Sequence, residues 1–217
     1  MASFNKDIDF SSMRADSDVT GSSTGLYWLN PPRLCSMEVG KGLKVTPTSG
    51  SDYWRKTYED PPASRATGNG LVTKIPPHVK RWSVSTVLSM SLVDQYDQAG
   101  LMVYVDDLHW LKAGIEYECG SPNMSSVVTN GESDWNYFPW SSVEEVVLRA
   151  ELERCGSVLA CKVEYYQAGV WRVLREAPIY TEQGSEVSVG IMAAAPKNEK
   201  GTPAMEVVFK NLNITTL

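Results

Sequence analysis

Residues 82–92, WSVSTVLSMSL, constrain the fold more than any other stretch of the chain. Trp82, Val84, Thr86, Leu88, Met90 and Leu92 point one way, and Ser83, Ser85, Ser89 and Ser91 point the other. A period of two belongs to a half-buried strand, because successive strand side chains alternate across the backbone. Runs of the same kind occur at 26–30, 34–39, 42–46, 71–75, 99–105, 108–119, 124–130, 134–138, 158–166, 170–175, 186–194 and 205–214. In 143–154 the spacing of Val143, Val146, Val147 and Ala150 fits a helix, but β-branched content and strand neighbours favour a strand. About a dozen closely spaced strands predict an all-β fold, two antiparallel sheets packed face to face as a β-sandwich or jelly roll. One short helix is expected near 52–58.

Segments 11–25, 47–70 and 196–203 read as loops over one body. Residues 1–217 are therefore expected to form a single domain, with 1–25 as a partly looped N-terminal segment. A chain of this length buries roughly 70% of its unfolded surface and needs no staple. Lys and Arg number 20 and Asp and Glu 26, and the net charge of -6 argues against general nucleic-acid binding. No apolar run approaches the ~20 residues of a membrane span. The start, MASFNKDIDF, lacks the apolar core of a secretory signal, so a cytoplasmic location is expected. Cys35, Cys119, Cys155 and Cys161 then read as reduced thiols, although Cys155 and Cys161 lie close enough in sequence to face each other across a hairpin. Four cysteines without a C-x-x-C and only two histidines, His78 and His109, lack the clustered ligands of a structural zinc site, and no Ser-His-Asp or Cys-His arrangement can be argued from them. No glycine-rich phosphate cradle occurs. Asp94, Asp97, Asp106 and Asp107 carry oxygens suited to calcium, but no calcium-loop spacing is present. No cofactor and no metal are expected.

The strand 108–119, LHWLKAGIEYEC, is the most informative about chemistry. Leu111, Ala113, Ile115, Tyr117 and Cys119 alternate as a core face, and Trp110, Lys112, Glu116 and Glu118 share the opposite one. Gly114 lies between Lys112 and Glu116 and is read as leaving open space there. An indole, an ammonium and a carboxylate around a glycine suit a sugar, whose C–H faces pack on indole while its hydroxyls bond polar groups. The preceding strand adds Met102 and Tyr104. The same alternation also describes a plain solvated face with cross-strand ion pairs. A catalytic pair Glu116/Glu118 is geometrically possible, since glycoside hydrolysis uses two carboxyls about 5–9.5 Å apart, but the E-x-D-x-x-E string of retaining sandwich glucanases is absent. Asp52-Tyr53-Trp54-Arg55 and Ser133-Asp134-Trp135-Asn136 read either as ligand rims or as loop anchors. Trp171 and Arg175 are expected to share a strand face.

Taken in order, these strings resemble a known family. Trp28-x-Asn30-Pro31-Pro32, Leu43-x-Val45, Asp52-Tyr53-Trp54-Arg55-Lys56-Thr57, Asp97-Gln98-Ala99-Gly100-Leu101-Met102, Trp110-Leu111-Lys112-Ala113-Gly114-Ile115-Glu116, Ser126-Val127-Val128-Thr129, Ser133-Asp134-Trp135 and Trp171-Arg172-x-x-Arg175 together are similar to the domain-of-unknown-function family 1349. The resemblance covers roughly residues 26–195 and implies the concanavalin-A-like lectin/glucanase sandwich. It implies no settled activity. The segment after Thr57, YEDPPASRATGNG, departs from the aromatic-rich stretch of bacterial members, so any ligand selected there differs.

The expected function is a carbohydrate- or polyol-binding module. Trp110 would stack, Lys112 and Glu116 would bond hydroxyls, and Asp52, Trp54, Arg55, Gln98, Tyr104, Trp135 and Arg175 would line the edges. Trp110 and Glu116 are expected to be exposed, so that replacing both by Ala removes binding with little loss of stability. The alternatives are an enzyme acting on glycosides or sugar phosphates through Glu116, and a non-catalytic protein-binding regulator of a metabolic enzyme. The expected partners are thus a sugar or small polar ligand, or a protein, with no nucleic acid and no membrane.

Overall fold

The computed structural model describes residues 3–141, 145–198 and 205–217. In chain order the strands are β1 (Lys6–Asp9), β2 (Tyr27–Trp28), β3 (Leu34–Glu38), β4 (Gly42–Thr46), β5 (Tyr53–Lys56), β6 (Ala63–Ala66), β7 (Asn69–Ile75), β8 (Arg81–Ser91) and β9 (Gln98–Asp106). They continue as β10 (His109–Glu118), β11 (Ser121–Asn130), β12 (Glu132–Pro139), β13 (Val146–Cys155), β14 (Val158–Gln167), β15 (Val170–Tyr180), β16 (Val187–Ala194), β17 (Glu206–Phe209) and β18 (Asn211–Thr216). The stretch 143–154 is thus a strand from Val146 onward, and its first two residues lie outside the described residues, as do positions 199–203 of the expected loop 196–203.

The strands form two antiparallel sheets. The first runs β15-β14-β13-β8-β17-β4-β3, with β18 also paired to β8 and β1 beyond it. The second runs β12-β11-β10-β9-β16-β7-β2. Between the sheets lies the main core. Trp82, Val84 and Leu88 of β8 and Leu148, Ala150 and Leu152 of β13 meet Leu101 and Val103 of β9, Leu111 and Ile115 of β10, and Val189 and Ile191 of β16. The chain is therefore the expected all-β sandwich, and the alternation in 82–92 places the predicted apolar set inside it.

The second sheet departs from simple alternation. Every described side chain of β16 is buried, and β10 is buried from Trp110 to Glu116 on both faces. The cover is the hairpin β5-β6, which forms a separate two-stranded sheet. Here the expected helix near 52–58 and the expected loop 47–70 are corrected. Tyr53 and Trp54 favour extended backbone, and burial of Tyr53 against Trp110 anchors that strand. Tyr53, Val72, Met102, Trp110, Val127, Met192 and Ala194 make a second apolar cluster between hairpin and sheet. Arg55 straps the hairpin to the β11-β12 turn. Its Nε donates to the Gly131 carbonyl at 2.6 Å, and its backbone N–H donates to Ser133 Oγ at 2.9 Å. Thr57 adds a backbone bond of 2.9 Å to the Glu132 carboxylate.

Three other expectations change. Cys119 sits in the β10-β11 turn with φ 52, so it is exposed rather than part of a core face. Cys155 and Cys161 do lie on one hairpin, but Cys161 stands opposite Leu152 and Cys155 opposite Val158. Cys161 is buried, and burial pushes its thiol up to about 12. Trp171 and Arg175 do not share a face, because the register of β15 on β14 shifts between Val163 and Glu164. The extra residue reverses the alternation beyond it. Trp171 packs on Tyr166 and under Arg149, whereas Arg175 reaches across to Asp134 and Asn136 of β12.

Candidate functional site

The site grows from three neighbouring rows on the outer face of the second sheet. In the middle row Gly114 pairs with Gly100 on one side and Ser125 on the other. Lys112 lies between Met102 and Val127 in the row above, and Glu116 lies between Gln98 and Asn123 in the row below. The glycine pair does not stand for open space, as the sequence suggested. A Cβ on Gly114 would fall 2.0 Å from the Ala99 carbonyl oxygen, and one on Gly100 2.0 Å from that of Ala113. The two strands approach so closely that only glycine fits, and the floor between Lys112 and Glu116 stays bare as a result.

The floor is a buried, mutually bonded set. Lys112 Nζ donates to Gln98 Oε1 at 2.5 Å and lies 3.5 Å from Asp52 Oδ1. Gln98 Nε2 donates to Asp52 Oδ1 at 3.3 Å and to the Tyr96 carbonyl at 3.1 Å. Glu116 Oε2 accepts from Ser125 Oγ at 2.7 Å, and Ser125 Oγ accepts the indole N–H of Trp135 at 2.8 Å. One ring edge therefore holds the carboxylate's nearest partner. Trp54 and Tyr96 meet Trp135 edge to face, with centroids at 5.9 and 6.3 Å, and Tyr137 stacks on it at 4.4 Å. Trp54, Tyr96 and Trp135 wall a pocket of about 390 Å³ whose lining includes Asp52, Gln98, Lys112 and Glu116. That volume is near the lower end of small-molecule sites, which run about 300–1,000 Å³. A broader depression of about 520 Å³ lies on the outer face of the first sheet, but it is a shallow charged surface where Arg81 already pairs with Glu151 at 3.2 Å.

Of the residues singled out in the sequence, Asp52, Trp54, Gln98, Lys112, Glu116 and Trp135 come together in this pocket. Trp110 shares their sheet face but is fully buried beneath Tyr53, with ring centroids 5.6 Å apart, so it is not an exposed stacking surface. Glu116 is likewise buried, not exposed. Arg55 is spent on the hairpin strap. Tyr104 turns to Asp107 Oδ1 at 2.7 Å, and Arg175 braces the two sheet edges. Tyr96, Arg65, Lys56, Glu59 and Ser125 were missed. They enter through a turn, the hairpin and a cross-strand register, none of which alternation reports. Asp97 closes the turn that presents Tyr96, its Oδ2 accepting from the N–H groups of Val93 and Asp94 at 3.0 and 2.9 Å.

Burial pushes the Glu116 carboxyl above the ordinary carboxylate range, and the Lys112 ammonium and the Ser125 hydroxyl pull it only partly back. A carboxyl raised in the folded state stays protonated while its unfolded counterpart ionises. Its contribution is thus fully present below the unfolded value near 4.3 and is lost as pH rises through the folded value. Asp97, also raised by burial, has the same sign. Glu116→Gln should therefore gain stability relative to the parent as pH climbs from the ordinary carboxylate range, and differ least at lower pH. Melting temperatures of both proteins across that range check this; a pH-independent difference would refute a raised Glu116.

Known proteins bear on this geometry. Residues 28–217 match the family described as a protein of unknown function, DUF1349. "Regulation of enolase protein 1" of Saccharomyces cerevisiae is 34% identical over 189 residues, 87% of this chain and 88% of the yeast protein. A crystal structure of a functionally unknown protein from Saccharomyces cerevisiae superposes with a TM-score of 0.74 at 31% identity, covering 89% of this chain and 97% of the other. The GH43 protein BlXynB of Bacillus licheniformis shares the fold at 17% identity and a TM-score of 0.68, over 98% of this chain and 39% of that one. So does a Bauhinia forficata lectin in complex with GalNAc, at 10% identity and 0.56, over 99% and 98% of the two chains. Among the described residues no helix is long and apolar enough to cross a membrane.

Proposed function

The chain belongs to the DUF1349 family, and from this premise and its pocket we propose that it binds a carbohydrate or small polyol. The observation that carries the reading is the pairing of a polar floor with aromatic walls in one small pocket. Lys112, Gln98, Asp52 and Glu116 offer donors and acceptors already held in place, and Trp54 and Trp135 offer apolar ring surface. Sugars present the same two kinds of surface. Fixed polar groups lose little freedom on binding, which favours affinity from few contacts. The lectin-like fold supports the reading as analogy only.

The test is a monosaccharide panel followed by titration calorimetry on the parent and on Glu116→Gln. Loss of one hydrogen bond to a charged or acidic group is worth about 1.5–3 kcal/mol, so affinity should fall about 10- to 150-fold. Retained binding with loss of turnover would instead identify Glu116 as the acid of an enzyme acting on glycosides. A second reading draws on the yeast relative's name: a non-catalytic regulator that binds a metabolic enzyme such as enolase. It expects a stable complex with that enzyme and no response to any sugar.

A further inference from the structure

The rim of the pocket carries a charge pattern that the floor does not need. The floor is close to self-neutralised, since Lys112 faces Asp52 at 3.5 Å. On the rim Lys56 is matched by Glu59 at 3.2 Å. Among the described residues, two cations remain without a close partner. Arg65 is half exposed and its nearest carboxylate oxygen, Asp52 Oδ2, is 3.9 Å away, too far for a charge-assisted hydrogen bond. Lys197 also lines the pocket and makes no ion pair among the described residues. An acidic chain of net charge -6 thus places, in the lining of this aromatic-walled pocket, two cations that have no close partner among the described residues.

Resting on the reading of this pocket as a polyol site, we infer that its ligand is an anionic monosaccharide-sized polyol, with the ring and hydroxyls over Gln98, Glu116 and Trp135 and the anionic group at Arg65 and Lys197. Arg65 suits this task because a guanidinium presents parallel N–H groups that match a phosphate or carboxylate in two-point contact. Burial raises the Glu116 carboxyl above the ordinary range, the direction that lessens its opposition to an anion. The small volume argues for one sugar unit rather than a chain. A phosphate ester and a sugar carboxylate share this chemistry.

The test measures binding of glucose, glucose 6-phosphate, glucuronate and inorganic phosphate to the full chain and to Arg65→Gln and Lys197→Gln. Both substitutions replace partly exposed groups, and unchanged melting temperatures confirm the fold. The expected result is that one charged sugar binds at least about tenfold more tightly than glucose, a difference of about 1.4 kcal/mol. That advantage should shrink with added salt and fall to near parity with glucose in Arg65→Gln. Preference for glucose 6-phosphate names the phosphate as the anion, and preference for glucuronate names the carboxylate. Equal binding of glucose and both charged sugars would overturn the anionic ligand and leave the polyol pocket standing. Inorganic phosphate binding as tightly as glucose 6-phosphate would overturn it too, since the sugar would then contribute nothing. No response to any of the four would remove both readings.

Discussion

Replacing Trp110 by Ala should lower the stability of the protein by about 3–5 kcal/mol, the usual cost of deleting a fully buried large aromatic side chain. Trp110 is wholly inaccessible and packs with Tyr53, Met102, Val127 and Met192. Its removal empties the centre of the second cluster and loosens the hairpin that Tyr53 holds down, so ligand binding should fail together with stability. The indole N–H meets no acceptor among the described residues. Trp110→Phe should lose less than the Ala variant, because it sheds that unpaired donor while keeping most of the buried apolar ring. Urea denaturation of the three proteins measures this. A loss under about 1 kcal/mol for Trp110→Ala would mean the ring is exposed, as its place in the sequence first suggested, since surface changes usually stay within about 0.5 kcal/mol.

Lys112→Met should be comparably costly for a different reason. It leaves Asp52 buried with only Gln98 and the distant Arg65 for company. Breaking a buried ion pair from one side costs about 3–5 kcal/mol, mostly the penalty of the stranded charge. The double variant Lys112→Met/Asp52→Asn should recover a large part of that loss, which a simple packing defect would not allow. The single variant also removes the ammonium that draws the Glu116 carboxyl downward, so that carboxyl should titrate at still higher pH. Additive losses across the cycle would show that Lys112 and Asp52 are not coupled.

Much of the scaffold was legible because it rests on alternation. The 82–92 pattern is β8, and the one-sided placement of Lys112 and Glu116 on β10 follows from parity alone. Parity names a face but not what covers it. Trp110 looked exposed because its cover, Tyr53, comes from a hairpin whose short strands are separated by a polar tip and carry no periodic signal. Ser125 was hidden because its place opposite Gly114 depends on the two-residue turn at Cys119 and Gly120, with φ 52 and 78, and such a turn fixes the register of every later pair. Arg175 was misplaced by one bulge. The missed features are non-local, and the chain order does not contain them in readable form.

The pocket's two halves have different freedom to diverge. Its floor belongs to strands whose backs form the main core and whose glycines admit no Cβ, so substitution there is costly. Its mouth is furnished by Lys56, Glu59, Ala63 and Arg65, around a hairpin tip that is exposed and held down from its base by Tyr53 and Arg55. A lineage can exchange that tip for another and acquire a new taste in ligands while the sandwich beneath is handed down unaltered. Relatives with the same floor and unlike tips would then be similar in architecture yet dissimilar in what they recognise.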